Sequence, residues 1–157
     1  MQDDLILDHE TRLETWRPAF RIFLRKLLFV AALTTIALLP VIVFFGVIAW
    51  LAASLLGSLV YFLVLDDYAE WQDRRGDAWV LTDQRLIFCR GDAPDDPGIA
   101  PLEEITRVSR WMWWGVKLHF ANRTATVMLF LPNSATVRDK IDAARTARLA
   151  TLAATPH

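Results

Sequence analysis

Residues 27–65, from "LLFVAALTTI" to "YFLVL", contain no charged side chain. No other feature limits the fold of this chain so strongly. The stretch holds 39 residues. As one helix it would run to about 58 Å, roughly twice a hydrocarbon core of about 30 Å. Two helices of about 18 residues fit better. Pro40 disrupts helical bonding and Gly46 permits a turn, so the break is expected between them. The spacing predicts one helix over 24–44 and a second over 47–65. A signal peptide is not expected, because the apolar run is too long and the preceding segment starts too acidic.

Orientation is read from the flanks. Arg12, Arg17, Arg21, Arg25 and Lys26 precede the stretch, and Arg74, Arg75 and Arg85 follow it. Positive flanks favour the cytoplasmic side, so both termini of a multi-pass protein are expected in the cytoplasm. Arg17, Arg21, Arg25 and Lys26 lie on one helix face ahead of the membrane. They serve as a topology signal or attract anionic headgroups. Ala49, Ala53 and Gly57 recur every four residues and form a small-residue face. That face suits packing within the hairpin itself, or the docking of a partner helix or a second copy. No charged residue lies within 27–65, which argues against a proton path, channel or transporter.

Beyond Asp66 the pattern is that of a water-facing domain. Val116, Leu118 and Phe120 alternate with Lys117 and His119, as in a half-buried strand. Asn122-Arg123 can turn the chain into a return strand with Ala125, Val127, Leu129 and Leu131 on one face. Trp79 with Leu81, and Leu86 with Phe88, mark two earlier strands joined at Asp83-Gln84. "EEITRVS", 103–109, reads as a further strand. Pro132 ends the last strand, and Asn133 or Ser134 can cap a final helix with an apolar stripe of Val137, Ile141 and Ala144.

"WVLTDQRLIFCRG" (79–91), "PLEEITRV" (101–108), "GVKLHF" (115–120) and a closing helix, in that order after a membrane hairpin, carry a resemblance. The chain resembles the bacterial pleckstrin-homology (PH)-like membrane proteins of the YdbS/YdbT kind. The resemblance implies an α+β membrane protein. Its two-helix transmembrane hairpin would precede a PH-like antiparallel β-barrel or bent sheet with a C-terminal helix. The implied layout is an N-terminal cytosolic segment (1–23), the hairpin (24–65), a linker (66–76) and the β-domain (77–154). The chain departs from the pattern in its single domain copy, its Asp/Pro-rich loop at 92–97 and its "WMWW" cluster.

That cluster is the leading candidate site. Trp111, Trp113 and Trp114 sit together before a strand, and Trp is favoured at membrane interfaces and interaction hot spots. Strand alternation would put Trp111 and Trp113 on one face and Met112 and Trp114 on the other. The alternative is that the rings fill the β-core. Arg107 and Arg110 add charge nearby, either to seat the domain on a bilayer or as a solvated strand face.

Other sequence features carry little chemistry. Asp92, Asp95 and Asp96 lack the spacing of a Ca²⁺ loop. His9, His119 and His157 are scattered, and Cys89 reads as a small apolar strand residue. "NRT" at 122–124 matches a glycosylation acceptor that a cytosolic domain would not use. No nucleophile elbow or phosphate loop is present. No cofactor and no enzymatic activity are therefore expected. The net charge of -1 gives no argument for nucleic acid. The expected role is an interaction module at the bacterial inner membrane: an adaptor, scaffold or assembly factor. Its partners would be the lipid bilayer and a membrane protein or its own copies. The alternative is a module that binds anionic lipid or senses the membrane.

Overall fold

A computed structural model describes residues 6–7, 9–64, 67–93 and 96–154. The chain is mixed α+β, with two antiparallel sheets and four helices among the described residues. It divides into two compact units. One joins residues 1–19 to 74–157, and the other is residues 20–73.

In the β-unit, strands β1 (Arg12–Trp16), β2 (Ala78–Thr82), β3 (Arg85–Cys89) and β4 (Gly98–Pro101) form one sheet in that order. Strands β5 (Ile105–Trp111), β6 (Gly115–Phe120) and β7 (Ala125–Leu129) form the other. The alternation read in the sequence selects the inner faces. Trp79, Leu81 and Leu86 from the first sheet meet Val116, Leu118 and Met128 from the second. Helix α4 (Ser134–Ala154) supplies Val137, Ile141 and Ala144 to the same core. Asn133 and Ser134 lie at its start, but the Ser134 hydroxyl donates to the Trp113 carbonyl at 3.1 Å.

The first sheet is also buried on its outer face, where Ala78, Val80, Ile87 and Cys89 cluster with Ile6. Burial pushes the Cys89 thiol above its ordinary value.

Two features differ from the expected layout. Residues 12–16 belong to the β-unit, because Trp16 pairs with Trp79 and joins the core. The helical unit is therefore an insertion between β1 and β2 rather than a segment ahead of the domain. In addition, Leu131 lies beyond β7. Phe130 turns the chain at φ 57 and both residues are fully buried.

The helical unit contains α1 (Phe20–Ala37), α2 (Pro40–Val64) and most of α3 (Asp67–Arg74). The first break falls at 38–39, before Pro40, not within 40–46 as expected. Proline lacks a donor that the first turn leaves free in any case, so it opens a helix more readily than it ends one. A second discontinuity does fall at Gly46, whose φ of 83 and ψ of 174 interrupt α2. Pro40–Tyr61 is long and apolar enough to cross a membrane, the one such helix among the described residues. Helix α1 fails that test because Arg21, Arg25 and Lys26 occupy its first half.

Helices α1 and α2 pack on each other. The Trp50 indole N–H donates to the Thr35 carbonyl at 3.1 Å. A Cβ at Gly57 would lie 3.2 Å from Thr34 Cγ2. Lower in the unit, Trp71 stacks on Phe23 at 5.4 Å between centroids, and Glu70 pairs with Lys26 at 3.9 Å.

Candidate functional site

The "LTDQRL" stretch is structural. Asp83 and Gln84 form the β2–β3 turn, as the sequence predicts. Asp83 also accepts the Thr11 N–H at 3.0 Å and returns its own N–H to the Thr11 carbonyl at 3.1 Å. The same end holds the Arg85–Glu10 ion pair at 2.8 Å, with the Glu10 side chain buried.

The Trp cluster is placed differently from the alternation expected. Trp111 ends β5 and Gly115 opens β6, directly paired across the hairpin. Residues 112–114 are the turn between them, so strand alternation does not apply. Met112 sits at φ 54, in the left-handed region. Gly115 is required here, because a Cβ would meet the Met128 carbonyl at 2.7 Å.

The three indoles therefore have separate environments. Trp114 is buried, and Trp113 crosses it edge-on at 5.0 Å and 84°. Both are tied down through their carbonyls: Trp113 accepts from Ser134 and Trp114 from the Leu131 N–H. Trp111 and Met112 remain exposed, at 44% and 51%. They form an apolar tip on a hairpin whose base is held by the core. The Arg110 guanidinium steadies the tip by donating to the Met112 carbonyl at 3.1 Å.

The register extends this tip into a face. Arg107 pairs with His119, Ser109 with Lys117, and Lys117 with Val127. The opposite faces of these strands carry Val116, Leu118 and Met128 into the core. Arg107, Ser109, Trp111, Lys117, His119 and Val127 thus share the outer face of the second sheet. Lys117 Nζ lies 5.4 Å from the Trp111 ring centroid, within cation–π range. Arg107 and Arg110 are both exposed. Between Glu104 and Asp139 the sequence has five Lys or Arg and no acid. That local imbalance was visible in the sequence, but the near-neutral total hides it.

The remaining candidates lie in the helical unit. Arg17 belongs by contact to the β-unit, whereas Arg21 and Arg25 are exposed on α1 and Lys26 is half-buried. Ala49, Ala53 and Gly57 are each half-buried on α2, with Gly57 against Thr34 of α1 and Leu38 of the turn that follows it. Among the described residues no group of three or more His, Cys, Asp or Glu is placed to hold a metal. Asp95 and His157 lie outside the described residues. Comparison with protein-family models, curated proteins and solved structures found no match to this chain.

Proposed function

We propose that this chain is a membrane-anchored, non-enzymatic interaction module at the bacterial inner membrane. In this reading α1 and α2 enter the bilayer as a hairpin, and both termini face the cytoplasm. The β-unit is PH-like. Two antiparallel sheets and a closing helix are what supports this reading. The exposed basic flank at Arg17, Arg21 and Arg25 supports the orientation.

The observation that carries the functional reading is the tip. Trp111 and Met112 are exposed side by side on a hairpin braced by Gly115 and Ser134. Exposed Trp on a rigid support is a costly feature to leave in water and suits a binding hot spot. We assign it to docking a membrane protein, with the module acting as adaptor, scaffold or assembly factor.

The acid-free run, with Arg107 and Lys117 on that outer face and exposed Arg110 beside the tip, favours a second reading, in which this end of the sheet meets anionic headgroups. One experiment separates the two. The tagged full-length chain is recovered from native membranes in mild detergent, alongside Trp111→Ala and Arg107→Gln/Arg110→Gln. A stoichiometric protein lost with Trp111→Ala supports docking. No co-recovered protein, with salt-sensitive liposome binding lost in the arginine pair, supports the lipid reading.

A further inference from the structure

A cavity of about 190 Å³ opens between the two sheets of the β-unit. Its cause is local. The register pairs Phe88 with Gly98 and Leu86 with Ala100, so the two inward positions of β4 carry the smallest side chains. A Leu or Val there would close the sandwich; Gly and Ala leave it open.

The cavity has a floor and a rim. Trp79, Leu86 and Leu118 form the floor and are buried. Phe88 and Phe120 are half-buried at the rim, beside exposed Gly98 and Thr126. Trp79 and Phe88 stack at 4.3 Å between centroids and 24°, which gives one wall a flat aromatic surface. Among the described residues no lining side chain is charged. The polar side-chain groups are the Thr126 hydroxyl and the Trp79 indole N–H. Water needs two to four polar partners to occupy such a site stably, and an apolar cavity of about 150 Å³ is large enough to take benzene.

We propose that this cavity holds the end of a linear hydrocarbon chain. The lining excludes headgroups, nucleotides and other charged ligands, because no side chain there could pair with them. Chain connectivity points to the source. Three residues separate β1 from α1, and three separate α3 from β2. If Pro40–Tyr61 crosses a bilayer, those tethers hold the β-unit at high effective concentration of acyl chains. This inference rests on the membrane-anchored reading, and its test keeps the two apart.

The probes are a palmitic acid and a diacyl phosphatidylcholine, each bearing a diazirine near the chain terminus. Full-length protein in nanodiscs is irradiated with each, and adducts are located by mass spectrometry. Labelling concentrated on Phe88, Phe120 and Thr126 is expected. Gly98→Leu should reduce it at least tenfold, since a Cβ at Gly98 meets only Phe88, at 3.7 Å, and is accepted without a clash. Ala100→Leu is the second filling variant, and near-UV circular dichroism reports whether either has lost its packing. Labelling by the fatty acid alone identifies a free acid, and labelling by both probes a bilayer lipid. Labelling spread over the exposed surface, or unchanged in well-folded filled variants, overturns the proposal. Membrane fractionation of the same protein tests the anchor separately. A chain absent from membranes that still labels with palmitic acid sinks the anchor and leaves the cavity assignment standing.

Discussion

Thr82 closes a ring on Arg85: its hydroxyl accepts the Arg85 N–H at 3.0 Å and donates to the Arg85 carbonyl at 2.9 Å. Thr82 is fully buried, so this hydroxyl has no access to water as a substitute. Thr82→Val keeps the shape and removes the hydroxyl that serves the Arg85 N–H, the Arg85 carbonyl and, at 3.3 Å, the Gln84 N–H. A loss of about 1–3 kcal/mol is expected. Thr82→Ser should recover most of it. Urea midpoints in a fixed detergent, at unchanged slope, provide the measurement.

Gly76 and Gly91 touch through their backbones. A Cβ built at Gly91 would lie 2.6 Å from the Gly76 Cα and 2.7 Å from its carbonyl carbon. Neither atom belongs to a side chain that could swing away. Gly91→Ala should therefore cost about 1–3 kcal/mol through overpacking. A Gly91→Ala chain with the wild-type denaturation midpoint would show that the two segments separate freely.

Asp77 lies beside this contact and is buried, with its carboxylate accepting the Gly91 N–H at 3.1 Å. Burial raises its pKa above the ordinary 3.8, against the opposing pull of that hydrogen bond and of Arg74. The unfolded chain then releases its proton near pH 3.8 while the folded chain still holds it. Between the two pKa values the folded state binds more protons, so this group withdraws stability as pH rises. Below that window it contributes no slope, and above it the loss is constant. Asp77→Asn keeps an oxygen for Gly91 and cannot ionise. Its stability relative to wild type should improve as pH rises from 3.5 through the weakly acid range. Parallel pH profiles for the two chains would refute this account.

The sequence disclosed elements whose evidence is local. Alternation at 79–82, 85–88 and 116–120 fixed which side chains face inward, and the Val137/Ile141/Ala144 stripe marked the seat of α4. Strand β1 was hidden because its partner, β2, is separated from it by the whole helical insertion, and only Trp16 of its five residues is buried. Strand β4 was hidden because Gly98–Pro101 is short and begins and ends on residues that usually break strands. The indole environments are not legible from strand alternation, for a conformational reason. Once Met112 adopts positive φ, a period of two no longer relates one ring to the next. The outer basic face needed the β5–β6–β7 register, which no single strand reveals.

Trp111 and Trp114 should therefore respond oppositely to the same substitution. Trp114 is 9% exposed and packs edge-on to Trp113, whereas Trp111 is 44% exposed. Trp114→Ala should remove about 3–5 kcal/mol of stability, the range for truncating a large buried aromatic residue. Any loss of association in that variant would reflect lost folding. Trp111→Ala should change stability by about 0.5 kcal/mol or less, as for other surface positions. Its association with the partner should fall at least tenfold if the tip is the hot spot, because about 2 kcal/mol is typical for such residues. Denaturation midpoints and co-purification yields measured on both variants decide the matter. Equal loss of stability in the two would place Trp111 in the core. A stable Trp111→Ala chain with undiminished association would move the docking surface to another part of the molecule.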